Sequence, residues 1–371
     1  MRLVWLMLAG CVLSLGLIRA DEAPLTTSAH RQAVLFAGPG ETHPQLGLLA
    51  AGLEVQLVAR NQAGTWLKVQ RLGRDGQVAQ EGWLISGLLN MPPDLRYSNL
   101  PVADLPDAVP QNVRSRSLRR LYAYPVLPVF DKGMRAVYER GQALGRRADT
   151  FTKVGDSVSA SGMYLEPMAQ GNHVLGPHDD LEAVIAYYGP QASPSVAAQV
   201  GLTSYAIFDP FWAAQDLCQP NETPLACEYR LKNPALAFIL FGANDARHMT
   251  DVQYDEQLRL IVDETLNAGI VPILSTFSVH PEDDLWWQKI NLNLRIVALA
   301  EEKRLPLINF WSAARILPQY GLDQDRVHLL QTGFGYLKYD NFSESWYGAA
   351  LQNLLALRTL QLWQKFLLTP P

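Results

Sequence analysis

The sequence predicts an α/β protein: a parallel sheet sandwiched by helices, with a small all-β barrel at its N-terminal end. Three observations carry that expectation. Beyond residue 150, short apolar runs of strand length alternate with longer stretches of helical period, the pattern of a parallel sheet covered on both faces. Residues 27–90 instead show brief apolar runs separated by turn residues. With 371 residues, 48% hydrophobic and 18% charged, the chain can bury one large core and one small one.

Taken in order, residues 1–20 read as an export signal. Arg2 makes a minimal basic start, residues 3–18 are almost wholly apolar, and Ala20 offers a small residue at the cut. Leu8-Ala9-Gly10-Cys11 resembles a lipobox, but the apolar stretch continues past Cys11, which favours ordinary cleavage after Ala20. The expected location is secreted or periplasmic, with no transmembrane segment in the mature chain.

Within 27–90, residues 32–36, 54–59, 65–69 and 81–85 are strand-like, separated by Gly38-Pro39-Gly40, residues 61–64 and residues 71–76. Residues 91–126, with Pro92, Pro93, Pro101, Pro106 and Pro110, read as a Pro-rich linker. The α/β domain is expected over 127–371. It opens with a helix over 127–147, where Val129, Phe130, Met134, Val137, Tyr138 and Leu144 recur at helical spacing. Strands follow at 151–154, 234–241, 270–276 and 306–310. Helices are expected at 252–266, 286–302 and 345–366.

The net charge of −5 argues against a nucleic-acid partner. Arginines cluster at 114–147, and a solvated helix face accounts for them better than an anion-binding patch. Past the signal only Cys218 and Cys227 remain. In an exported chain they suggest a local disulfide across a turn-rich loop, contributing ~2–3 kcal/mol on the chain-entropy account. No metal-ligand spacing accompanies them, and none emerges around His173, His178, Asp179 and Asp180, so neither metal nor cofactor is expected.

Ligands in open parallel sheets bind at the C-terminal strand ends. Two motifs fall there: Gly155-Asp156-Ser157 after the first strand and Gly242-Ala243-Asn244-Asp245 after the second. Asp325-Arg326-Val327-His328 follows near the C-terminus. A serine hydroxyl is a weak nucleophile and needs an imidazole held by a carboxylate. His328 is the candidate base, Asp325 its orienting group and Ser157 the nucleophile. Asp323 competes with Asp325 at a less suitable spacing. A tetrahedral oxyanion needs donors already in place. The Ser157 backbone N–H, at a helix start, and the Asn244 amide are two candidates. Gly201 is the third, with Gly189 the alternative. Asp156 and Asp245 are expected to brace these loops. For the aromatics Phe334, Tyr336, Tyr339, Phe342, Trp346 and Tyr347, packing against the last helix is the default over a ligand wall.

On these three motifs the chain resembles the SGNH (GDSL-type) hydrolase superfamily over residues 149–368. That resemblance implies a flavodoxin-like fold and a serine esterase working through an acyl-enzyme without a cofactor. In it Ser157, His328 and Asp325 form the triad, and Ser157, Gly201 and Asn244 the oxyanion hole. The family's usual proline and glycine after the histidine are replaced here by residues 329–336, beginning Leu329-Leu330 and ending Gly335-Tyr336. The run from Gly38-Pro39-Gly40 through Trp66-Leu67-Lys68-Val69 to Glu81-Gly82-Trp83-Leu84 resembles bacterial Src-homology-3-type domains. Together with export, it implies an acylated glycan or cell-envelope ester as substrate, and for the barrel itself either contact with the cell wall or a packing spacer, on equal terms. A lipid or aryl ester, or a wall-binding protein with a degenerate hydrolase scaffold, is the alternative.

Overall fold

The protein is described by a computed structural model covering residues 24–103, 115–333 and 335–370. The stretch read as an export signal, with Cys11, lies outside these residues, as do part of the expected linker and Phe334.

The N-terminal module comprises β1 (Thr26–Ser28), β2 (Ala33–Phe36), β3 (Gln45–Leu49), β4 (Glu54–Arg60), β5 (Trp66–Leu72) and β6 (Val78–Ile85). They form one antiparallel sheet in the order β1-β4-β5-β6-β2-β3. Alternation places Val55 and Leu57 of β4 with Leu35, Leu67, Val69 and Leu84 in one core. The opposite face buries Phe36, Ala59, Trp66 and Trp83 and packs on Ile316 of the α/β domain. Strands β1 and β3 escape the sequence pattern because they are outer strands. The first is polar, and the second exposes Leu46 and Leu48.

The expected linker is not all spacer. Helix α1 (Arg116–Ala123) lies within it, started by the Ser115 hydroxyl accepting from the Leu118 N–H. Leu121 is fully buried, and the Asn309 side-chain amide donates to the Leu121 and Tyr124 carbonyls. The next helix, α2 (Lys132–Ala143), is shorter than the expected 127–147. Pro128 and the Asp131 cap delay its start, and Gly145 at φ +82° ends it.

The central sheet is parallel, ordered β11-β10-β9-β7, from β7 (Arg147–Gly155), β9 (Pro234–Leu240), β10 (Val271–Ser275) and β11 (Leu307–Ile308). Every residue of β9 is buried, as a strand covered on both faces requires. Between β7 and β9 lie α3 (Ser157–Ala160), β8 (His173–Val174), α4 (Glu182–Tyr188) and α5 (Pro224–Lys232). Helices α6 (Asp251–Asn267) and α7 (Trp286–Lys303) flank β10, with α8 (Phe310–Ala313) directly after β11. Two-residue β12 (Leu337–Lys338) pairs with β8, and α9 (Gly348–Leu368) closes the chain, buried through most of its length. Thus 306–310, expected as one strand, is a two-residue strand and the start of a helix: the Asn309 side chain accepts from the Ser312 N–H and caps α8.

The arginine cluster is not simply a solvated face. Arg135 donates to the Phe366, Leu367 and Thr369 carbonyls at the end of α9. Arg140 and Arg146 reach the Leu266 and Ala268 carbonyls at the end of α6. Cys218 and Cys227 form a disulfide, S–S 2.08 Å. One group among the described residues gathers metal-type ligands, Cys218, Glu222 and Cys227, but its two sulfurs are bonded to each other. No helix among the described residues is long and apolar enough to cross a membrane.

Candidate active site

Strands β7 and β9 are in parallel register, Gly155 opposite Leu240, so the segments leaving them emerge side by side. A Cβ at Gly155 would lie 2.2 Å from the Leu240 carbonyl oxygen, so only glycine permits this approach. Ser157 opens α3, a single turn capped by the Asp156 carboxylate on the Val158 N–H at 3.0 Å. Gly242, at φ +144°, lets the chain turn against the Phe277 ring, which a Cβ would meet at 2.1 Å. The Asn244 amide donates to the Leu202 carbonyl at 3.1 Å. A primary amide has two N–H groups, so a second donor remains.

A third segment runs alongside. The Gly155 N–H donates to the Ala197 carbonyl and the Gln199 N–H returns to the Gly155 carbonyl. Gly201, exposed at φ +82°, follows in this loop, one residue before the Leu202 carbonyl that holds Asn244. Gly189 is buried at the end of α4 with Met168 against it, away from this loop.

Two buried aspartates tie the three segments together. Asp156 accepts from the Val158 and Ala243 N–H groups, joining the Ser157 turn to the Asn244 loop. Asp245 accepts from the Ser204 N–H at 2.8 Å and hydroxyl at 2.7 Å, joining the Asn244 loop to the Gly201 loop. Burial, reinforced by neighbouring Asp245, pushes the Asp156 carboxyl up to about 7. Ser204 and the Leu202 carbonyl were missed in the sequence because that loop has no periodicity to read. The dipeptide of Thr203 and Ser204, hydroxyls beside a candidate glycine, was the only signal.

The Asp325–His328 segment is a tight turn. Asp325 Oδ1 accepts from the Val327 and His328 N–H groups, both at 2.9 Å, with Arg326 at φ +57°. Asp325 Oδ2 lies 2.5 Å from His328 Nδ1, and His328 Nε2 lies 2.9 Å from Ser157 Oγ. A carboxylate only accepts, so Nδ1 carries the ring proton and Nε2 accepts from the serine hydroxyl. Partial burial pushes Asp325 up, but the His328 ring and the two N–H donors outweigh it and hold the carboxyl below the usual range. Asp323 lies outside this chain of bonds. Its backbone N–H takes the His328 carbonyl instead.

The histidine and aspartate side chains are half exposed, so the site is open on one side. On the other, a cavity of about 30 Å³ lies beside Ser157, lined by Ser161, Met163, Tyr164, Leu329 and Asn353 among others. Among the described residues, the aromatics after His328 do not line it. Phe342 packs into the N-terminal core and Tyr339 is buried under α9. The His248 backbone N–H donates to the Asp245 carbonyl, and its exposed side chain has no hydrogen bond among the described residues.

No protein-family model and no curated protein matches the sequence. Among solved structures, the chain is similar to an acetylxylan esterase from Geobacillus stearothermophilus, at 16% identity and TM-score 0.39 over 57% of this chain and 93% of that one. It is also similar to a GDSL-like lipase from Bacteroides thetaiotaomicron, at 17% and 0.36 over 60% and 97%. A third is the psychrotrophic esterase EstA from a Pseudoalteromonas species, at 15% and 0.38 over 58% and 99%. At such identities and TM-scores these likenesses carry no chemistry, so the geometry of the site has to.

Proposed function

We propose that the protein is a serine esterase of the SGNH type, hydrolysing short-chain carboxylic esters through an acyl-enzyme. The observation that carries this reading is the continuous relay from Asp325 Oδ2 through His328 to Ser157 Oγ, with contacts of 2.5 and 2.9 Å. His328 Nε2 takes the hydroxyl proton as Ser157 Oγ attacks the acyl carbon. Asp325 stabilises the imidazolium that forms. The oxyanion is received by the Ser157 N–H, the free N–H of Asn244 and the Gly201 N–H. Collapse expels the alcohol with the proton returned from His328, and water repeats the cycle to release the acid.

The cavity beside Ser157, about 30 Å³, is small, which favours acetyl over long acyl groups. The open side leaves room for a bulky alcohol, which supports an O-acylated glycan or other cell-envelope ester. On the sequence signal, the chain is exported and the N-terminal module is a Src-homology-3-type domain touching the wall. Its division into module, linker and 127–371 domain is part of the same proposal.

A p-nitrophenyl ester series tests this. Acetate is expected to exceed octanoate by at least tenfold in kcat/KM. Ser157→Ala is expected to abolish turnover with little change in melting temperature. Asn244→Ala is expected to lower kcat by roughly 10²–10³ with a much smaller change in KM. Turnover by Ser157→Ala, or reaction of a fluorophosphonate with another serine, removes the triad.

A further inference from the structure

A cavity of about 440 Å³ opens between the N-terminal sheet and the α/β domain, a volume typical of small-ligand sites. Ser157, Asp325 and His328 do not line it. Its walls bring aromatic rings from five separate stretches of chain: Trp66 of β5, Tyr122 of α1, Trp286 of α7, Trp311 of α8 and Tyr320.

The polar groups around it are incompletely matched. Arg315 lies over Trp311 and Tyr320, 4.8 and 4.3 Å from the ring centroids. Its Nε donates to the Trp311 carbonyl, and its Nη2 to Ser278 Oγ and the Val279 carbonyl. All three acceptors are neutral. Among the described residues no carboxylate pairs with this guanidinium and no acceptor meets Nη1, although burial already holds the group down to about 10. The indole N–H groups of Trp286 and Trp311 likewise have no acceptor among the described residues. Glu41, exposed, also lines the cavity, and its carboxylate has no ion pair among the described residues. Thr42, Asn61, Thr65 and Ser312 add neutral polar groups to the lining, and Leu118, Val126, Leu351 and Leu355 add aliphatic ones.

The ligand class follows from this pairing. An anion would be drawn to Arg315 but repelled by Glu41, and a cation the reverse. An apolar ligand would leave the guanidinium and the Glu41 carboxylate unmatched. A neutral polyhydroxylated ring offers an apolar C–H face to the aromatic wall and, at its edge, hydroxyls that both donate and accept. We propose that this cavity is an oligosaccharide-binding site, separate from the ester-cleaving centre and built jointly by the two modules. The proposal rests on the cavity and does not require the esterase reading.

The test is calorimetric titration of the mature chain with three neutral probes: N-acetylglucosamine tetramer, xylotetraose and cellotetraose. At least one is expected to bind saturably. Trp286→Ala is expected to raise its Kd about tenfold, the equivalent of a lost stacking contact. Glu41→Gln, on a surface turn where folding is not at stake, is expected to raise it several-fold. Both variants are expected to keep p-nitrophenyl acetate hydrolysis within about twofold of the parent. Binding is also expected to survive phosphonylation of Ser157. Absence of saturable binding by all three probes, unchanged Kd in both variants, or loss of binding on phosphonylation overturns the proposal, the last by moving the sugar to the ester site.

Discussion

Asp156 sits where two demands meet, because one buried carboxylate must cap the Ser157 turn and also hold the Asn244 loop. Its type and position were readable from the motif, as was its bracing role. The partners Asp245 finds in Ser204 were not, since they arrive from a loop fixed only by tertiary packing. The raised carboxyl has a measurable consequence. A group with a folded value near 7 and an ordinary value near 4 binds its proton more readily when folded. Its favourable contribution is therefore complete below about pH 4 and is lost as pH rises toward 7. Asp156→Asn keeps an acceptor for the Val158 N–H but cannot ionise. Its stability relative to the parent is expected to climb between pH 4 and 7, by on the order of 4 kcal/mol at most. Urea denaturation at four pH values measures this, and parallel curves for the two proteins would refute it.

At the scale of elements, strong periodicity gave α6, α7 and α9 to within a few residues, and β7, β9 and β10 nearly as closely. What stayed hidden was helix α1 and the work of the arginines, because capping pairs a side chain with carbonyls remote in sequence. Arg146 shows the difference such placement makes. Its guanidinium bonds the Ala268 and Tyr229 carbonyls and Asn233 Oδ1, at 2.9, 3.0 and 2.9 Å, holding together the ends of two helices. Arg120, by contrast, pairs with Glu301 where both side chains are nearly half exposed. Arg146→Ala is expected to cost about 2 kcal/mol, and Arg120→Ala less than about 0.5 kcal/mol. Equal melting temperatures for the two variants would show that the helix ends are held by packing alone.

Across the whole molecule, the proline-rich stretch suggested a small module hung beside a large one, but the interface is a buried polar network that no local pattern announces. Arg358, fully buried on α9, donates to Asp180 Oδ2 at 2.6 Å, and Arg60 of the N-terminal sheet donates to the same oxygen at 3.0 Å. Arg358 also donates to His178 Nδ1 at 2.9 Å, so that nitrogen is bare and the ring proton sits on Nε2, which faces Glu344 Oε1 at 3.3 Å. Burial, with both arginines nearby, keeps His178 neutral by pushing its value well down, and burial pushes Glu344 up to about 8. The His178–Glu344 contact is thus a neutral hydrogen bond at pH 7, and the charges lie on Asp180 and the two arginines. Arg358→Leu strands Asp180 against one cation and is expected to cost about 3–5 kcal/mol. Glu344 behaves differently. Its contribution is complete below about pH 4.5 and is lost as pH rises through 8, because the folded interface resists the carboxylate that the unfolded chain accepts freely. Glu344→Gln keeps an acceptor for the His178 N–H and never ionises. Whatever fixed penalty its amide N–H groups incur, its stability relative to the parent must rise steadily from pH 5 to pH 8. A difference that stays constant across that range would mean Glu344 is already ionised in the folded protein, and the contact with His178 would then have to be an ion pair.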